Sequence, residues 1–238
     1  MTRPFRTKTP LIAALATLVL YAGPAAAPGF ENEQLHYSIN WPSGLSLGEA
    51  TLRSARTKND KGPQRLHLEF DLDASIPGFV VSDKYRSDTS LDFCSTKFQK
   101  TTLHGKKKVN ETSTFDQEAG KVTRETKDGG KTELSVSQCG KDALSFLYFA
   151  RRELSQGRIP PPQTVYFGAP YEVRLEFGGT QKVKVSDAVV ETDRVVVNAK
   201  GPASEISFEV FFLKNNSRSP ALVRVPLQLG SFYMELVK

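Results

Sequence analysis

Leu66-His67-Leu68-Glu69-Phe70-Asp71-Leu72-Asp73 alternates apolar and polar residues without a break. Successive side chains of a β-strand point to opposite faces, so this stretch has a dry face of Leu66, Leu68, Phe70 and Leu72 and a wet face of His67, Glu69, Asp71 and Asp73. A helix would scatter the same residues around its circumference. The same period of two recurs in Leu35-His36-Tyr37-Ser38-Ile39-Asn40-Trp41, and again where Val183 and Val185 alternate with Lys182, Lys184 and Ser186. Turn signals separate these runs: Asn59-Asp60-Lys61-Gly62-Pro63, Gln117 to Gly120, Asp128-Gly129-Gly130, Gly178-Gly179 and Asn215-Asn216. Such short spacing leaves no room for helical crossovers, so the pairing is expected to be antiparallel, hairpin after hairpin. Later strands are predicted near Val165–Phe167, Tyr171–Phe177, Gln181–Val190, Val195–Ala199, Glu205–Leu213, Ala221–Pro226 and Ser231–Val237. Residues 97–136 alternate weakly, with Val109, Phe115, Val122 and Leu134 thinly spread, and read as long hairpins partly clear of the core.

One helix interrupts the strands, over residues 142–155. Asp142 is placed to cap its first free amides, and Gly157 ends it before Pro160-Pro161-Pro162 forbids continuation. Leu144, Leu147, Tyr148 and Leu154 share one face at helical spacing, widened by Phe146 and Phe149, while Arg151, Arg152 and Glu153 are assigned to the other side. So broad an aromatic face must bury against a sheet. The expected fold is mainly β: a curved antiparallel sheet or half-barrel of many strands packed around the helix, with a β-sandwich as the alternative. Residues 28–238 are read as one β-rich domain.

The first residues read as a secretory signal peptide. Arg3, Arg6 and Lys8 precede an apolar run from Leu11 to Tyr21, and Ala25-Ala26-Ala27 supplies a small-residue cleavage site near Ala27. The run is shorter than the roughly 20 apolar residues a span requires, and no later stretch is a candidate transmembrane segment. The expected location is therefore periplasmic or secreted. Removing that leader lowers the formal charge of the chain from +6 to +3, with 26 acidic residues retained. A mildly basic surface of mixed sign makes no case for nucleic acid. The two cysteines, Cys94 and Cys139, are expected to form one disulfide in an oxidising compartment.

Motifs for chemistry are sparse. His67-x-Glu69-x-Asp71-x-Asp73 puts four ligand-type side chains on one strand face, but same-face neighbours stand about 7 Å apart, too far for more than two to share a small ion. It is read as a solvated face, and neither a metal nor a cofactor is assigned. No Gly-x-Ser-x-Gly elbow occurs, and neither cysteine has an evident histidine partner. Lys97, Lys100, Lys106, Lys107 and Lys108, followed by Lys121, Arg124, Lys127 and Lys131, would suit anionic headgroups or acidic polysaccharide. Interleaved Glu111, Glu118, Glu125 and Asp128 favour the plainer reading of lysines that protect hairpin edges from stray pairing.

The apolar inventory points further. Fifteen Phe, seven Tyr and one Trp exceed what a single helix can cover, and Phe79-Val80-Val81 and the stretch from Phe208 to Leu213 are notably apolar. Either two sheet faces pack together, or a concave face is left as a ligand cavity. The leading expectation is a non-enzymatic envelope protein that binds an acyl chain, lipid or lipoprotein anchor between sheet and helix. Trp41, Phe70, Phe79, Phe146, Leu147 and Phe149 are the candidate lining. A closed-core module that recruits another envelope protein is the alternative, and a cell-wall polymer hydrolase comes third.

Several stretches also resemble a known family. Glu33-Gln34-Leu35-His36-Tyr37-Ser38-Ile39-Asn40-Trp41, then Leu47-Gly48-Glu49-Ala50-Thr51-Leu52, resemble exported bacterial proteins catalogued as domain of unknown function 3108. So do Asp142-Ala143-Leu144-Ser145-Phe146-Leu147-Tyr148-Phe149-Ala150-Arg151 with Gly157 after it, and Arg218-Ser219-Pro220-Ala221-Leu222 followed by Gly230 and Met234-Glu235-Leu236. The resemblance implies export and a β-rich fold, and brings no established activity. More distantly the plan is similar to periplasmic lipoprotein carriers, in which an open half-barrel around a helix shelters acyl chains. The Cys94/Cys139 pair has no place in that plan, and neither resemblance implies catalytic residues.

Overall fold

The computed structural model describes residues 30–57, 63–76, 78–227 and 230–237. The leader expected before Ala27 lies outside the described residues. The strands are β1 (Glu33–Asn40), β2 (Ser46–Thr57), β3 (Arg65–Ile76), β4 (Phe79–Ser90), β5 (Ser95–His104), β6 (Lys107–Asp116), β7 (Lys121–Thr126), β8 (Lys131–Ser135) and the two-residue β9 (Lys141–Asp142). After helix α1 (Ala143–Ser155) come β10 (Gln163–Tyr166), β11 (Pro170–Val185), β12 (Ala188–Lys200), β13 (Glu205–Leu213), β14 (Pro220–Leu227) and β15 (Gly230–Val237).

All fifteen strands belong to one sheet, in the order β8-β7-β6-β5-β4-β3-β2-β1-β15-β14-β13-β12-β11-β10-β9. The chain thus builds one half outward from β1 and the other inward to β15, and the two terminal strands join the halves: Tyr37 faces Leu236 and Ile39 faces Met234. Every pairing is antiparallel except β9 with β10. The ladder stays open between β8 and β9 and is stitched there by other contacts. Ser95 N–H donates to Gly140 C=O at 3.0 Å. Gln117 Nε2 donates to Ser95 O at 2.6 Å and to Gly140 O at 3.0 Å, while its Oε1 accepts from Gly140 N–H at 2.9 Å. The Cys94–Cys139 disulfide closes the same corner across a sequence separation of 45, and the Tyr166 hydroxyl donates to Ser135 O on β8. The curved, unclosed sheet around a helix is the half-barrel plan read from the alternation.

Alternation sets which side chains face inward. Leu35, Tyr37 and Ile39 of β1, Leu66 and Leu68 of β3, and Phe232, Met234 and Leu236 of β15 meet in one apolar cluster. Phe98, Phe115 and Val122 join it, all buried. Residues 97–136 therefore differ from the expectation. They form long hairpins, but these are part of the main sheet, and their few large apolar residues sit on its inner face. Many of the polar residues between them that diluted the pattern face outward, Thr102 and Ser113 are small enough to be buried on the inner side, and the buried Glu111 pairs with Arg124 and Lys100.

Two other turns are corrected. Gly178-Gly179 is a bulge inside a continuous β11, where the register shifts between Phe177 and Thr180. The true reversal falls inside the run expected as one strand from Gln181 to Val190, at Ser186, whose φ of +52° is left-handed. The bulge gives the hairpin its bend. Its tip reaches β15, where Ser186 N–H donates to Glu235 Oε1 and Ser186 Oγ to Leu236 O.

Candidate ligand site

The helix is held by two buried polar anchors. At its start Asp142 caps the first turn, Oδ1 accepting from Leu144 N–H at 2.9 Å and Ser145 N–H at 3.1 Å. Its Oδ2 accepts from Ser87 Oγ and Ser95 Oγ, each at 2.6 Å, so the cap also fastens the helix to β4 and β5. Burial pushes the Asp142 carboxyl above the usual carboxylate range, and these four hydrogen bonds only partly pull it back.

The second anchor corrects the placement of Arg151 on the outer side of the helix. Its side chain is fully buried. Nη1 and Nη2 donate to the Glu33 carboxylate at 2.7 and 2.6 Å, and Nε donates to Ser217 O and Arg218 O. The guanidinium also lies over the rings of Phe30 and Tyr148. Helical spacing cannot tell an arginine stripe in solvent from one that plugs the joint between the helix, β1 and the β13–β14 turn. The acidic partner is remote in sequence.

So fixed, α1 splits the interior in two. Leu144 and Tyr148 face the cluster built from the N-terminal strands, and Phe146, Ala150 and Leu154 face a second cluster with Val173, Leu175, Val195, Val197, Val210 and Phe212. Between the helix and this second wall lies a cavity of about 1010 Å³. Ala143, Phe146, Leu147 and Ala150 form its helical side, β11 to β14 its floor, and Leu52, Phe70, Phe167 and Met234 its far wall. One carboxylate, Glu205, stands on its lining, beside Ser204. The cavity is closed at one end by the buried Phe212 and Pro220, and open at the other, where Ser204, Glu205, Ile206 and Pro226 are exposed.

Of the residues singled out in the sequence, Phe70, Phe146 and Leu147 line this cavity. Trp41 packs edge-on against Phe232 beside the first cluster. Phe149 is half-buried under Lys141 and Arg152, and Phe79 is 43% exposed on the β3–β4 hairpin. Much of the floor comes instead from Phe208, Val210 and Phe212 of β13. The signal for it was the largely apolar run from Phe208 to Leu213, interrupted only by Glu209. On the opposite side of that strand Phe211 is fully buried beside Glu209, which pairs with Arg194 and Arg224.

The acidic face of β3 is an ion-pair lattice. Arg86 reaches Asp71 at 2.7 Å and Glu69 at 3.3 Å, Arg53 lies at 3.4–3.5 Å from both, and His67 bridges Asp88 and Glu69. Among the described residues no group of three or more His, Cys, Asp or Glu is placed to hold a metal ion.

Comparison with known proteins fits this architecture. The family model described as "Protein of unknown function (DUF3108)" matches residues 35–237. This chain belongs to the DUF3108 family. No curated protein matches it. Among solved structures, the DUF3108 chain is similar to a crystal structure of a beta-barrel-like protein of domain of unknown function DUF1849 from Brucella abortus. The two share 11% sequence identity with a TM-score of 0.57, over 86% of this chain and 95% of that one. At that identity the likeness concerns the fold alone. No helix among the described residues of the DUF3108 chain is long and apolar enough to cross a membrane.

Proposed function

We propose that this protein is a non-enzymatic binder of an apolar chain (the acyl chain of a lipid or of a lipoprotein anchor), held in the cavity between α1 and β11–β14 and operating in the cell envelope. The cavity itself carries the reading. At about 1010 Å³ it is at the upper end of ligand pockets, which run to about 1,000 Å³. Its walls are aliphatic and aromatic, and its polar groups stand at the open end. That arrangement suits a molecule with a long apolar tail and a polar head left at the mouth. Burying about a dozen methylenes at roughly 0.8 kcal/mol each contributes on the order of 10 kcal/mol before the cost of immobilising the chain, so no directional contacts are needed along the tail. The expected leader and the disulfide favour an oxidising compartment outside the cytoplasm.

The test is uptake of a fluorescent fatty acid by the wild type and by cavity-filling variants. Val210→Trp, with Ala199→Phe as a milder substitution, places bulk on the floor. Saturable uptake by the wild type, lost in Val210→Trp and weakened in Ala199→Phe while both variants melt cooperatively, is the expected result. Equal uptake by all three would refute the assignment.

A further inference from the structure

The strand register sorts the hairpins to two ends of the sheet. Asn40 faces Ser46, Ile76 faces Phe79, His104 faces Lys107, and Val81 faces His104, so the β1–β2, β3–β4 and β5–β6 turns lie together at one end. The pairing continues through β15 and β14, with Asn40 opposite Tyr233 and Leu227 opposite Gly230, to the β12–β13 turn, where Lys200 faces Glu205. This is the end at which the cavity opens.

Large apolar side chains stand exposed on these turns. Leu45 is 63% exposed, Val80 50%, Phe79 43%, Ile76 41% and Ile206 40%. Single apolar residues are exposed elsewhere, as at Leu91, Phe177 and Val189, but at this end four of them crowd the tips of the neighbouring β1–β2 and β3–β4 hairpins. Beside them Lys106, Lys107 and Lys108 are all exposed on the β5–β6 hairpin. Phe79 is tied to that hairpin. Its ring occupies the space a Cβ on Gly105 would need, at 2.9 Å, and Gly105 N–H donates to Val80 C=O at 2.7 Å. Exposed acidic residues also stand at this end, Glu49 facing Asp73, Glu205 beyond the β12–β13 turn and Asp128 on the β7–β8 turn, but none shares the tip of the β5–β6 hairpin with the three consecutive lysines; Asp83 is taken up by His104.

We infer that this rim docks on an anionic lipid bilayer. The tips at Leu45, Ile76, Phe79 and Val80 enter the acyl boundary, Lys106, Lys107 and Lys108 meet the headgroups, and the cavity mouth is presented to the membrane. Apolar tips alone would suit many partners. Their place beside three consecutive exposed lysines selects a surface that is greasy beneath and negatively charged above. The inference deepens the cavity reading, on which its purpose rests, but the docking is measured separately.

Co-sedimentation with sucrose-loaded vesicles tests it, using the folded protein from residue 28 onward and vesicles of phosphatidylglycerol with phosphatidylethanolamine, or of phosphatidylcholine alone. The wild type is expected to bind the anionic vesicles about tenfold or more tightly than the neutral ones. Phe79→Asp/Val80→Asp and Lys106→Ser/Lys107→Ser/Lys108→Ser should each weaken anionic binding about tenfold, and Phe79→Trp should keep it. Fluorescent fatty-acid uptake should stay unchanged in all three. Absent or lipid-indifferent binding by the wild type, or undiminished binding by both multiple variants, would overturn the docking and leave the cavity untouched. Vesicle binding without fatty-acid uptake would overturn the cavity reading instead.

Discussion

Replacing Arg151 by Met keeps a long apolar stem in the helix and removes the guanidinium. Four donations disappear, two to Glu33 and two from Nε to Ser217 O and Arg218 O, together with the contacts of the guanidinium over Phe30 and Tyr148. The Arg151 side chain is 0% exposed and that of Glu33 only 15%, so the stranded carboxylate cannot simply turn to water. Removing one partner of a buried pair costs about 3–5 kcal/mol. For a domain of this size each kcal/mol corresponds to about 2–4 °C, so Tm should fall by roughly 6–20 °C. Glu33→Leu combined with Arg151→Met removes both charges and should recover about 1–3 kcal/mol of the summed single losses. Urea unfolding followed by circular dichroism, with the disulfide intact, measures all three variants. A loss below about 1 kcal/mol for Arg151→Met, or strict additivity in the double variant, would refute the view that this pair locks the helix over the cavity.

Replacing both cysteines by Ser should lower stability by about 4 kcal/mol on the chain-entropy relation for a separation of 45; an unchanged urea midpoint would contradict the stitch at the open corner. Asp142→Ala should cost about 2 kcal/mol or more, because it removes the helix cap and strands the hydroxyls of Ser87 and Ser95, whereas Asp142→Asn, which can still accept from the helix amides, should cost less. The carboxyl's raised pKa means that the folded state holds this proton more tightly than the unfolded chain, so its contribution is greatest in acid and fades as pH rises above about 4. The stability difference between wild type and Asp142→Asn should therefore shrink between about pH 4 and pH 7, and a constant difference would contradict the assignment. Gly48→Ala puts a Cβ 2.0 Å from Asp73 O and 2.6 Å from Ala74 Cα, both backbone atoms of the paired strand. It should cost about 1–3 kcal/mol in thermal unfolding, and a neutral substitution would mean that β2 and β3 are not so closely paired there.

Most of the sheet was legible because its period is local. Leu66 to Asp73 and Leu35 to Trp41 declare their inner faces residue by residue, and Asp142 with Gly157 brackets the helix without reference to anything distant. What escaped depends on partners far along the chain. Arg151 reads as solvent-facing until Glu33, more than a hundred residues earlier, is brought beneath it. Val122 and Phe115 look stranded among Lys and Thr until β6 and β7 are placed at the flank of the same inner face. Gly178-Gly179 carries the composition of a turn, and only the register of β11 against β12 shows a bulge. Of the cavity, the helical side was readable from aromatic spacing. Its floor on β11 to β14 was not, because the alternation of Val173, Leu175 and Val197 is the same for a packed core as for the wall of an empty space.

A crystal structure grown with a bromine-tagged long-chain fatty acid tests the binding of an apolar chain most directly. Anomalous bromine density among Phe146, Phe208 and Val210, with the carboxylate toward Ser204 and the open rim, is the expected result. Bromine only on the outer surface, or side chains of the floor collapsed to fill the space at saturating ligand, would contradict it.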